Sequence, residues 1–332
     1  MIGFVGLGIG AGLVSALLFW AVTSGSPAGI LLCYLAALPI LIVALGWTHL
    51  LGLLAALVGA ATLSATLRPS AGLAFAFGPA LPAWALAYLA LVGRPAARSE
   101  PGRRREGGLD WYPAGRLLFW VAVAGAFVAL ASAVALGRGD YGLFRDILRR
   151  VADALLHAQM NVPANQVLPN VAGVAGSAFV LFMVRIAPGG AGAVFTLALA
   201  LNLYLAGRAV AMSGRLPRPW PDVPGTRMPP LALGVLAGGT ILALGPGYAS
   251  VAGVAIVGAL VMAFALQGFA FLHATTRGRP GRTGLLSFAY VFTIFFGGTF
   301  LPLLALAGMV DTATPLRARL TRGPGPNTRP PA

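Results

Sequence analysis

Apolar runs of about 20 residues alternate with short polar breaks along most of this chain, and that rhythm predicts its architecture. A hydrocarbon layer about 30 Å thick is crossed by about 20 residues of helix, so each run of that length is an expected membrane span. Spans are expected at 2–22, 28–45, 50–67 and 71–92, joined by turns long enough only for hairpins. No basic leader precedes the first, so it reads as a retained span rather than a secretory signal. The hydrophilic stretch GRPAARSEPGRRREGGLDWYPAGR at 93–116 then brings six arginines, which places it on the cytoplasmic side, and with it the N-terminus. A fifth span follows at 117–136.

The period then changes. In YGLFRDILRRVADALLHA, residues 141–158, Phe144, Ile147, Leu148, Val151, Leu155 and Ala158 share one helical face, and Arg145, Arg149, Asp153 and His157 share the other. This predicts an amphipathic helix lying on the membrane surface. From 170 to 213 the chain is apolar for long enough to cross twice, yet Arg185 and Pro188-Gly189-Gly190 fall inside. Only one crossing keeps the arginine-bearing loop at 215–227 cytoplasmic, so 171–187 is expected as a short, broken or re-entrant segment and 191–212 as the crossing. A hairpin of two spans is expected at 230–244 and 251–272. The last apolar stretch, 285–310, holds Gly297, Gly298 and Pro302 and leads to Arg317, Arg319 and Arg322, so the same rule predicts that it bends back.

The expected fold is an all-α polytopic transmembrane helical bundle: about eight full spans, two broken or re-entrant segments and one surface helix. It forms a single transmembrane domain over 1–312, with a four-span half at 1–92, a basic loop at 93–116, a second half at 117–312 and a disordered tail at 313–332.

Composition agrees: 58% of residues are hydrophobic and 9% charged, against roughly 25% charged in soluble domains. All 23 basic residues are arginine, which excludes Schiff-base and phosphate-loop lysine chemistry. The net charge of +15 resides mainly in short loops, a pattern that orients a membrane protein and attracts anionic lipid at the cytoplasmic face rather than nucleic acid. Cys33 is alone, and His49, His157 and His273 are far apart, so no metal or cofactor is expected. All eight acidic residues lie in loops or at span ends. No buried carboxylate is expected, which argues against proton-coupled transport and against an enzyme.

Within the first span, Gly8, Gly12 and Ala16 recur every four residues and form a smooth packing face; no preceding strand supports a nucleotide loop there. The polar residues left near membrane depth are the candidate ligand-cavity set: Arg185, Asn202, Arg208, Gln267 and His273. The two arginines lie near span ends and can snorkel, Asn202 and Gln267 can bond across helices, and His273 sits by the interface. SGRLPRPWPD at 213–222 reads as a membrane exit with Trp220 as anchor.

Several fragments together carry a likeness: LPILIVALGW at 38–47, WYPAGRLLFW at 111–120, NLYLAGRAVAMSGRLPRPWPD at 202–222 and GFAFLHATTRGRPGR at 268–282. They resemble the YybS-like family of predicted bacterial inner-membrane proteins, a resemblance that brings neither an activity nor catalytic residues. More distantly, that family is similar to the substrate-binding membrane components of energy-coupling-factor vitamin transporters. The two expected broken segments, of the kind that form midplane binding sites, make the leading expectation a small-molecule or lipid-binding component of a transport system that lacks its own ATPase. A separate coupling protein would then pack on the Gly8, Gly12, Ala16 face. The alternative expectation is a membrane scaffold acting through its basic loops and surface helix.

Overall fold

The computed structural model describes residues 2–95, 109–171 and 173–314. Its helices are α1 (Ile2–Trp20), α2 (Pro27–Tyr34), α3 (Leu38–Gly46), α4 (His49–Thr66), α5 (Pro69–Phe75), α6 (Leu81–Leu91), α7 (Ala114–Leu136), α8 (Tyr141–Met160), α9 (Gly176–Met212), α10 (Leu231–Leu242), α11 (Gly247–Thr275) and α12 (Arg282–Ala313). A short hairpin of β1 (Gly93–Pro95) and β2 (Leu109–Trp111), paired Gly93 to Trp111, joins the ends of the basic loop. The loop between, and most of the expected disordered tail, lie outside the described residues. The molecule is an all-α polytopic bundle, and eight of its helical stretches are long and apolar enough to cross a membrane.

The early turns form where the sequence supplies caps. Ser26 accepts from Gly29 N (3.0 Å) with Pro27 at the first helical position, and Thr48 accepts from Leu51 N (3.3 Å). Pro79 is accommodated within α5–α6 by a π-helical turn over Ala76–Ala80.

Lipid gives no hydrophobic drive for one helix to leave it for another, so close backbone approach does the packing. A side chain at Gly12 would strike Ala55 O and Val58, which sets α1 on α4, and Ala16 is buried on the same face. α4 therefore covers the Gly8, Gly12, Ala16 face from within the chain, and the expected coupling partner has no room there. Gly192 lies against Ala255 O, and the Gly189 backbone against Gly258, which locks α9 to α11.

Two expectations are corrected. Residues 176–212 form one continuous helix through Pro188, so 171–187 is not a separate broken segment; Gly189 and Gly192 serve contact with α11 rather than a break. At 37 residues, α9 is about 55 Å long, well over the hydrocarbon thickness. Second, 230–244 is not a full-length membrane helix: α10 has 12 residues, about 18 Å, and the irregular stretch before it supplies the rest of the way across. The expected amphipathic helix is present as α8. Phe144, Ala152 and Leu156 are buried, whereas Val151 and Leu155 are exposed and leave an apolar edge open. Asp140 caps this helix by accepting from Leu143 N (2.9 Å).

His157, expected on the solvated face, is also buried. Its Nδ1 is 2.9 Å from the Asp153 carbonyl and its Nε2 3.1 Å from the Gln166 carbonyl. Both carbonyls favour the doubly protonated ring, Asp153 first, and raise its pKa above the usual histidine value.

α12 does bend back. Phe296 leaves helical geometry (φ −127°, ψ 32°). Tyr290 stacks on Phe269 (5.0 Å between ring centroids), and Asp311 meets Gln267 at 2.7 Å. A straight helix would separate positions 290 and 311 by about 31 Å, yet both reach the same turn of α11.

Two cores result. One is centred on α3, α4 and α6, the other on α10, α11 and α12, and α7 contributes to both. The ends of α3, α6, α9 and α11 and the starts of α7 and α12 share one face, which carries Arg94, Arg116, Arg215, Arg218 and Arg277. There the Arg215 guanidinium covers Trp47 (4.6 Å), and Arg277 pairs with Asp222 (3.4 Å).

Candidate functional site

Between α9 and α10 the chain runs RLPRPWPDVPGTRMPP, residues 215–230, with six prolines. Proline stops the helix and has no N–H, so this stretch carries few backbone donors needing partners away from water. The chain can therefore fold inward from the basic face without regular structure. Arg218 Nη1 donates to Ala90 O at the end of α6 (2.9 Å), Trp220 lies over Gly207, and the Arg227 backbone rests on Gly115. Trp220 thus turns back onto α9, edge-on to Tyr204 (5.5 Å) and beneath the Arg208 guanidinium (5.3 Å); it is not the outward anchor its position suggests.

This inward fold roofs a cavity of about 770 Å³ at the seam of the two cores. Such a volume lies within the roughly 300–1,000 Å³ of small-molecule sites. Leu117 and Val121 of α7, Leu197, Leu201 and Tyr204 of α9, Phe269 of α11 and Ile294 of α12 make an apolar wall, and Arg218, His273, Tyr290 and Thr293 add polar groups. From Gly207 down to Leu197 it follows α9 for about 15 Å, roughly half the hydrocarbon thickness. Leu201, Tyr204, Tyr290 and Ile294 line it and are also exposed on the bundle's outside, so its open edge faces the lipid between α9 and the first arm of α12.

Arg218 is the one charged side chain in the lining and makes no ion pair among the described residues. Among the described residues no acceptor meets its buried Nε, and burial pushes its pKa below the usual arginine value. The guanidinium has five donors, and a single bond to Ala90 O leaves most of them unused.

The sequence-derived candidates scatter. Only His273 lines the cavity, with Nε2 2.8 Å from Tyr290 Oη. Arg208 reaches it only through Trp220. Arg185 is exposed on α9 far from it. Asn202 turns the other way and donates from Nδ2 to Tyr34 O (2.8 Å) and Ala198 O (2.7 Å), which pins α9 to the end of α2.

Gln267 is the centre of a separate polar knot. Its Oε1 accepts from Met228 N (3.0 Å), and its Nε2 approaches Gly308 O (3.1 Å), Asp311 Oδ2 (2.7 Å) and Thr312 Oγ1 (2.9 Å). The Arg227 guanidinium closes the knot on Thr312 O (3.1 Å) and Thr314 O (3.0 Å). Asp311 is fully buried, which corrects the expectation that no carboxylate is. Arg218, Tyr204 and Tyr290 were missed as site residues because nothing local in the sequence tells an interfacial arginine or tyrosine from a cavity wall. The proline run around Arg218 was the available signal.

Residues 13–312 match a family model described as "Predicted membrane protein (DUF2232)". Neither a curated protein nor a solved structure matches the chain.

Proposed function

The chain belongs to the DUF2232 family of predicted membrane proteins, and from that premise we propose that it binds a lipid-soluble small molecule, admitted sideways from the bilayer into the cavity between α7, α9, α11 and α12. The observation that carries this reading is the cavity itself, apolar along most of its wall, open toward lipid and polar at its interfacial end. The proposal includes binding and no catalytic step. It places the chain in a bacterial inner membrane with the arginine-rich face and the N-terminus cytoplasmic, since basic loops stay on that side and meet anionic lipid there.

Membership of a transport system is the extension of this reading. The chain has no ATP-binding motif, so a coupling protein and an ATPase would have to be separate, and they would dock elsewhere than on the α4-covered face of α1. Photolabelling with an alkyl-diazirine alcohol in nanodiscs tests the binding step. Saturable labelling, competed by the unlabelled alcohol and mapped to 197–207 and 290–294, is the expected result. Labelling that never saturates and spreads evenly over the lipid-facing helices contradicts it.

A further inference from the structure

We propose that the ligand of this cavity is a single-chain amphiphile with an anionic head, its head on the Arg218 guanidinium and its tail along α9 toward Leu197. This rests on the binding role proposed above and adds the chemical class. A cation in an apolar lining is costly unless its charge and donors are met, and no acidic residue is among the lining residues. Ala90 O meets one donor; Nε, buried and with no acceptor among the described residues, remains. The ligand is therefore the source of the missing anion. A planar guanidinium receives a carboxylate or a phosphate through paired N–H donors, so the shared chemistry is an anionic oxygen head.

The position of the arginine fits the same ligand. Arg218 is tied to the last turn of α6 at the basic face, where headgroups lie, while the wall from Tyr204 down to Leu197 is apolar. The volume suits one alkyl chain. His273 and Tyr290, bonded to each other on the opposite wall, already satisfy part of their own polarity, so the unmet demand is concentrated on Arg218.

The test compares four probes of one chain length on the full chain in nanodiscs of neutral lipid: oleate, oleoyl lysophosphatidate, oleyl alcohol and oleylamine. At least one anionic probe should bind about tenfold or more tightly than the alcohol and the amine, and which anion prefers the site separates a carboxylate source from a phosphate source. Arg218→Gln should erase that preference while the alcohol's affinity stays within about twofold, and Arg218→Lys should restore part of it. Equal affinity for alcohol and anions, or an anion preference that survives Arg218→Gln, overturns the head assignment and leaves the cavity reading standing. Saturable binding by none of the four overturns the cavity reading and this inference with it. If Arg218→Gln does not insert, the comparison of anions with alcohol on the native chain decides alone.

Discussion

The inward-folded chain at 215–230 feeds two polar places that behave oppositely. At its far end Met228 N enters the knot of Gln267, Asp311 and Thr312, where each Gln267 polar atom has a partner and none of these residues lines the cavity. At its near end Arg218 faces an apolar cavity with most of its donors unused. Both hold polar atoms withdrawn from water, at Arg218 the Nε, and the cost of withdrawal is the same in kind. The difference is where it is met: inside the chain for the knot, which makes it structural, and outside the chain for Arg218, which makes it a binding group. Polarity at membrane depth therefore does not mark a site. Spare hydrogen-bonding capacity facing a space does.

The sharpest way to break the comparison is at the knot. Gln267→Leu strands Met228 N–H and removes a donor from buried Asp311, so it should lower stability by about 3 kcal/mol in a detergent unfolding titration. Ligand affinity of the folded fraction should hardly change. A marked loss of ligand affinity at unchanged stability would erase the distinction between the two places. Trp220→Ala removes part of the cavity wall and the partner of Arg208, and should cost about 1 kcal/mol of stability together with a clear loss of ligand affinity. Asn202→Leu should cost about 1 kcal/mol or less, because interhelical bonds in membranes average about 0.6 kcal/mol, with no effect on binding.

His157 extends the contrast to the opposite face. Its folded pKa is raised by the Asp153 and Gln166 carbonyls, so its contribution is fully present below the unfolded value of about 6.5 and is lost as pH rises through the folded value. Hydrogen exchange along α8 and the loop at 161–168 should therefore speed up as pH rises through that window, beyond the intrinsic rate increase, and His157→Gln should flatten the difference. The smallest effect is expected at Arg185, exposed and away from both places: Arg185→Gln should change stability by less than about 0.5 kcal/mol and leave binding unchanged.

The bundle was legible because lipid permits few solutions: apolar length gives spans, and the arginines that follow the last one point to the return of α12. What escaped depends on tertiary contact. Pro188-Gly189-Gly190 resembles a helix break, but in the bundle Gly189, with Gly192 beyond it, makes the contact with α11 and the helix continues. The run at 230–244 is apolar enough to suggest a span, yet α10 stops at Leu242 because the preceding prolines have already carried the chain inward. Asp311 sits near a helix end, where a carboxylate ordinarily reaches water; the bend at Phe296 turns that end into the protein. Gln267 and Arg218 could not be ranked from sequence, since a residue's unused donors are defined only once its neighbours are in place.

The most direct measurement of the central claim is the ligand count per chain by native mass spectrometry, after release from nanodiscs titrated with oleate, for the native chain and for Ala200→Trp, which fills the cavity. The account predicts saturation at one oleate per native chain and none on the filled variant. Equal occupancy of the two, or uptake that never saturates, would contradict it.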